Sequence, residues 1–192
     1  MNPNSDTIKA AVASHFRYTR QCTLIAFECC ARLKTWSGEI ADIVVITEGG
    51  LLTVVEVKIS ISDFRGDKKK GYHRTLSNAP GVIPVTHFYF AVPKELANKV
   101  AYLCDDLYPY AGVIGSNGLD QFDIAVHRKP RNLKGGKVTA EQIKYIERSQ
   151  SATLCRLATK VSEQKQVRRN LEAQIKEYKD MERLTGDKPD RS

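Results

Sequence analysis

Residues 41–60 read ADIVVITEGGLLTVVEVKIS. Two runs rich in Val and Ile flank Thr47-Glu48-Gly49-Gly50, a pattern that predicts a β-hairpin. If Glu48, Gly49 and Gly50 form a three-residue loop with a glycine in the left-handed conformation, paired residue numbers sum to 98 and Asp42 lies across from Glu56. Cross-strand partners on one face have Cβ atoms about 4.5–5.5 Å apart, and like charges there repel. A two-residue loop would shift the register by one and send the two carboxylates to opposite faces. Period two also sets Lys58 beside Glu56.

Two carboxylates and an ammonium converging on an apolar hairpin cost stability unless something uses them. Mg²⁺ would, since it takes one or two carboxylates and binds substrate phosphates. Lys58 would then polarise an attacking water or offset charge developing on a phosphate. The plainer reading makes Glu56 and Lys58 neighbours at a strand end, with Asp42 capping a turn.

The sequence Ala41-Asp42 followed by Glu56-Val57-Lys58 resembles the PD-(D/E)XK nuclease superfamily, with Ala41 where the motif has proline. A second stretch narrows the resemblance. Ser60-Ile61-Ser62-Asp63-Phe64-Arg65-Gly66-Asp67-Lys68-Lys69-Lys70-Gly71-Tyr72 follows the lysine, and His87-Phe88-Tyr89-Phe90-Ala91-Val92-Pro93 comes later. This is similar to the MmcB-type branch of DNA-repair nucleases, over about residues 5–130.

The resemblance implies a restriction-endonuclease-like α/β core with a mixed central sheet flanked by helices. It also implies Mg²⁺- or Mn²⁺-dependent hydrolysis of a DNA phosphodiester in repair or recombination. Asp42, Glu56 and the Val57 backbone carbonyl would hold the metal, and Asp42, Glu56 and Lys58 would form the catalytic set. Glu28, in the strand before the hairpin, would complete the site as a third carboxylate or stand as an edge residue. Glu39 is an odd number of residues from Asp42 and points to the other face. Many such nucleases carry a glutamate on the first helix; none occurs between Asp6 and Arg20, where His15 is the one substitute. A one-metal mechanism is therefore the expectation. Two rival readings remain: a catalytically silent DNA-binding or adaptor module on a nuclease fold, and a nuclease that cleaves RNA.

Charge divides the chain. Residues 1–127 hold 13 Lys+Arg and 13 Asp+Glu, whereas residues 128–192 hold 17 and 9, so the tail carries the whole net charge of +8. A basic tail beside a neutral metal-site domain suggests a nucleic-acid partner, although a solvated helix with surplus lysine would look the same. Within the domain, Lys68, Lys69, Lys70, Tyr72, His73 and Arg74 make a basic and aromatic cluster suited to a phosphate backbone or an unpaired base; a solvated helix end is the duller alternative.

Five cysteines show no CxxC pair and no zinc spacing, which supports neither a disulfide framework nor a structural zinc. No apolar run is long enough for a membrane span and no signal segment opens the chain, so a cytoplasmic protein of bacterial or phage origin is expected.

Along the chain, helix is predicted over 6–18 with Ser5 as N-cap, strand over 22–31, and a turn at Trp36-Ser37-Gly38. A helix over 62–76 entered through Ser62, a strand over 85–92 and a helix over 94–107 follow. Strands over 111–114 and 122–126 complete a domain spanning 1–130. Residues 131–138 read as a linker, 139–185 as a basic helical extension, and 186–192 as a disordered tail. Thr139 and Gln142 form a capping-box start. Leu154, Leu157, Val161, Leu171, Ile175 and Tyr178 recur at heptad steps interrupted by Gln164 and Arg168, which suggests a homodimeric coiled coil or packing back onto the core.

Overall fold

The computed structural model describes residues 3–29 and 40–185, with side chains as far as Met181. The turn expected at Trp36-Ser37-Gly38, residues Cys30 and Glu39, and the expected disordered tail lie outside the described residues. The chain forms two compact units, Met1–Gln150 and Ser151–Ser192.

The first unit is an α/β fold built on one six-stranded sheet in the order β1-β2-β3-β4-β5-β6. These strands are β1 (Leu24–Cys29), β2 (Ala41–Ile46), β3 (Leu52–Val57), β4 (Val85–Pro93), β5 (Gly112–Ser116) and β6 (Ala125–Arg128). The first three form an antiparallel meander, β3-β4-β5 run parallel, and β6 closes the edge antiparallel. The parallel steps need crossovers, and helices supply them. Helix α1 is Ser5–Ser14, α2 is Ile61–Gly66, α3 is Tyr72–Asn78, α4 is Lys94–Leu107 and α5 is Ala140–Thr185.

The hairpin register is the one the three-residue loop dictates. Ile43 pairs with Val55, Val44 with Val54, Val45 with Thr53 and Ile46 with Leu52. Thr47 and Leu51 close the loop through Thr47 N–H donating to the Leu51 carbonyl at 3.0 Å. Gly50 takes φ +78°, a conformation a Cβ disfavours.

Alternation along the strands then sorts the core. Val44, Ile46, Leu52, Val54, Phe88 and Phe90 pack with Phe64, Tyr72, Leu76, Ala97, Val100 and Cys104 on one face. Ile43, Val45, Val55 and Val57 pack with Ile8 and Val12 of α1 on the other. Buried on both faces, β3 is the strand that carries Glu56 into the interior.

Several expected boundaries shift for local reasons. Asn4, not Ser5, caps α1: its side chain accepts from Thr7 N–H while the Thr7 hydroxyl caps in return. A single π-helical turn, His15–Thr19, continues α1. The helix expected over 62–76 is three pieces. Ser60 rather than Ser62 caps α2, accepting from Asp63 N–H at 3.1 Å; a 3₁₀ turn spans Asp67–Lys69, and Lys70 is extended before α3 begins. Gly66 and Gly71 weaken the helix on either side of that turn. The strand expected over 22–31 starts at Leu24, and those expected over 111–114 and 122–126 become β5 and β6.

Residues 131–138 carry no helix or strand, yet Leu133 and Val138 are buried. Leu133 N–H donates to the Thr86 carbonyl and Val138 N–H to the Gly50 carbonyl. The capping box at α5 is present, with Gln142 N–H donating to Thr139 Oγ1 and Thr139 N–H to Gln142 Oε1. Within the first unit the start of α5 packs on the sheet through Ile143 and Ile146. In the second unit α5 is exposed along its described length apart from the half-buried Thr153. Among the described residues no helix is long and apolar enough to cross a membrane, and Cys22, Cys29 and Cys104 are buried while Cys155 is exposed.

Candidate acid–lysine site

The site forms where β2 and β3 end together. Asp42 Oδ2 accepts the Val57 amide proton at 2.8 Å, which ties the first acid of the motif to the backbone between the other two charged residues. Asp42 Oδ1 faces Lys9 Nζ at 3.0 Å, and the same ammonium reaches Glu28 Oε1 at 3.3 Å. Burial pulls the Lys9 ammonium down, but Asp42 and Glu28 outweigh it and hold it above its ordinary value. Glu28 takes φ +45° inside β1, a left-handed conformation rare for a residue with a Cβ.

Glu56 is 1% exposed. Its Oε2 lies 2.6 Å from Lys70 Nζ and 3.4 Å from Lys58 Nζ. Its Oε1 is buried and finds no hydrogen-bond partner among the described residues. Burial raises the Glu56 carboxyl, more than the Lys70 ammonium beside it lowers it.

Lys58 is also buried, with Nζ 2.7 Å from Asp67 Oδ1 and 4.0 Å from Asp63. Lys70 reaches the same Asp67 oxygen at 3.0 Å. Two buried carboxylates thus face two ammonium groups, the balance that low-polarity surroundings require. Asp67 Oδ2 accepts from the Tyr72 hydroxyl at 3.2 Å and from His73 Nε2 at 2.6 Å. A carboxylate only accepts, so His73 Nε2 carries a proton toward it, and His73 Nδ1 shares a hydrogen bond with the Tyr110 hydroxyl. Burial works to raise the Asp67 carboxyl, and the His73 and Lys58 partners overcome it, leaving Asp67 well below the carboxylate range. The same two acids hold Lys70 above its ordinary value, against its burial.

Asp42, Glu56 and Lys58 therefore share one strand end. The acids stand as lysine-bridged pairs: Asp42 with Glu28 through Lys9, and Glu56 with Asp67 through Lys58 and Lys70. Among the described residues no three His, Cys, Asp or Glu side chains gather as a ready-made metal-ligand group. The donor chemistry nevertheless suits a hard cation. Both acids offer oxygen, and the orphaned Glu56 Oε1 is a buried acceptor that a cation would satisfy.

The expected nucleic-acid cluster needs correction. Tyr72 and His73 are 1% and 5% exposed, because the chain turn at Lys70-Gly71 points both rings into the core against Phe88; neither is placed to stack on a base. Lys70 is half-buried on Glu56 and Asp67. Lys68, Lys69 and Arg74 are the members of the set that face solvent. His15 Nδ1 lies 3.1 Å from the Gln121 carbonyl.

Sequence reasoning gave Asp67 no part in the site and missed Lys9. Asp67 sits in the segment that carries the family likeness, but its burial depends on the break at Lys70. Lys9 is the single cation of α1 and adjoins the buried Ile8.

The sequence profile described as "DNA repair protein MmcB-like" matches residues 3–114, more than half of the chain. No curated protein matches. A protein of unknown function from Silicibacter pomeroyi has a similar solved structure, 18% identical, with a TM-score of 0.53, covering 82% of this chain and 90% of that one. At that identity the likeness concerns the fold.

Proposed function

The chain belongs to the MmcB-like family of DNA repair proteins, and from that premise we propose that it is a divalent-metal-dependent phosphodiesterase that cleaves DNA. The observation that carries this reading is the junction of Asp42 with the Glu56-Val57-Lys58 strand end: a carboxylate on the Val57 amide, next in the chain to a buried glutamate whose Oε1 has no hydrogen-bond partner among the described residues.

Asp42, Glu56 and the Val57 carbonyl would hold Mg²⁺ or Mn²⁺. When bound, such a cation supplies Lewis acidity at a phosphate and charge neutralisation. Lys58 would offset charge that grows on the phosphate oxygens. Asp67, anchored by His73 and Tyr72, fixes where that ammonium sits. Lys9 pairs with Asp42 and Lys70 with Glu56, which neutralises the two acids. Lys68, Lys69 and Arg74, exposed beyond the buried set, would hold the DNA backbone.

A second reading has its own support. Every acid of the site is already paired with a lysine, as a DNA-binding adaptor that does no chemistry would also arrange it. Incubation of the protein and its Lys58→Ala variant with single-stranded, duplex and branched DNA, and with RNA, in Mg²⁺, Mn²⁺ or EDTA separates the two. Metal-dependent cleavage lost in the variant supports the enzyme, and the substrate cut names its class. Binding without cleavage in every arm supports the adaptor.

A further inference from the structure

The second unit leaves an apolar stripe uncovered. Leu154, Leu157, Val161, Leu171, Ile175 and Tyr178 are each between 47% and 68% exposed on α5. They fall at alternating three- and four-residue steps, so they form one seam, with Gln164 and Arg168 filling the two remaining seam positions at its centre.

The seam reads the same from either end. Around Gln166, Leu154 mirrors Tyr178, Leu157 mirrors Ile175, Val161 mirrors Leu171, and Gln164 mirrors Arg168. Each mirrored pair joins one heptad a position to one d position, which is how layers meet between antiparallel helices. The next seam positions outward are polar at both ends: Gln150 and Glu147 on one side, Glu182 and Thr185 on the other. Gln150 is already engaged within the first unit, where its side chain bonds both the N–H and the carbonyl of Phe27. The free apolar stripe is therefore bounded and self-complementary.

We propose that this seam is a self-association surface whose occupant is the same segment of a second copy, packed antiparallel about a two-fold axis at Gln166. Charge selects that direction. A parallel pair would bury Arg168 against Arg168 in the seam and set Lys160 against Lys165 on both flanks. The antiparallel pair sets Arg168 against Gln164, a hydrogen-bonding partner, and leaves one exposed Lys165–Lys165 approach. The flank residue Val167 meets its own copy beside the axis, which adds apolar contact. In the single copy Arg168 is held by Glu172 at 2.7 Å, a pair exposed enough to be exchanged. The inference does not depend on the nuclease reading.

Sedimentation of the full chain across a concentration series tests it. The expected result is a reversible monomer–dimer equilibrium, with Leu171→Asp raising the dissociation constant by roughly tenfold or more. Gln164→Glu fixes the direction. In the antiparallel pair the new carboxylate faces Arg168 of the other copy twice and tightens the dimer by roughly threefold or more. In a parallel pair it faces itself and loosens it. A chain that stays monomeric throughout, a dimer indifferent to Leu171→Asp, or a dimer loosened by Gln164→Glu would each overturn the proposal.

Discussion

Asp42 holds the backbone of Val57: its Oδ2 accepts the Val57 amide proton at 2.8 Å across the β2–β3 junction. One carboxylate therefore fixes the strand end that presents Glu56 and Lys58, so its structural and chemical parts can be separated by substitution. Asp42→Asn keeps an oxygen for the amide and loses the charge; Asp42→Ala loses both. Urea melts are expected to show Asp42→Asn within about 1 kcal/mol of the parent and Asp42→Ala lower by about 1–2 kcal/mol more.

Asp67 is the anchor of the buried charge set. Asp67→Asn leaves Lys58 and Lys70 short of a counter-charge and is expected to destabilise the first unit by about 3–5 kcal/mol at neutral pH. Asp67 titrates lower in the folded chain than in the unfolded one, so its contribution is complete above the unfolded value of about 3.9 and drains away as pH falls below it. Denaturation curves of parent and variant should converge in acid. Glu56 runs the other way. Burial raises its carboxyl, so folding favours its charge less than water does, and Glu56→Gln is expected to be milder than Asp67→Asn at neutral pH.

The hairpin register hangs on one glycine. Gly50 adopts φ +78°, and a side chain there is strained whatever the space around it. Gly50→Ala is expected to destabilise by about 1–2 kcal/mol. Gly49 has no such angle, and its nearest neighbour to an added Cβ is Thr47 Oγ1 at 3.8 Å, so Gly49→Ala should lie within about 0.5 kcal/mol of the parent. Thermal melts of the two variants side by side make the comparison.

The exposed cations should act through phosphates. Lys68→Ala, Lys69→Ala and Arg74→Ala are each expected to weaken DNA binding uniformly across sequences and to lower the salt-dependence slope by about 0.7–0.9. Tyr72→Phe should leave both unchanged, because the ring is buried. Fluorescence anisotropy at several salt concentrations reads both quantities.

What the sequence made legible was what local chemistry decides. Glu48-Gly49-Gly50 sets a loop length, the loop sets the register, and the register brings Asp42 to the Glu56-Val57-Lys58 strand end. Pro93 opening α4 and Thr139 with Gln142 opening α5 are equally local signals. The remainder depends on tertiary closure. Lys68 to Arg74 look like one basic and aromatic face when read as a continuous helix. The break at Lys70-Gly71 instead turns Tyr72 and His73 inward and brings Lys70 onto Glu56. Asp67 becomes the partner of Lys58 through the same break. Lys9 reaches Asp42 from an element separated from it by β1 in the chain, a proximity that no spacing encodes.

The measurement that bears most directly on the central claim is DNA cleavage by Asp42→Asn beside the parent chain, in Mg²⁺ and in EDTA, on samples whose melting confirms that both are folded. The account predicts that the parent cuts in Mg²⁺ and not in EDTA, and that Asp42→Asn, with its fold retained, loses at least about 10²-fold in rate. Equal Mg²⁺-dependent cleavage by the two folded proteins would contradict it.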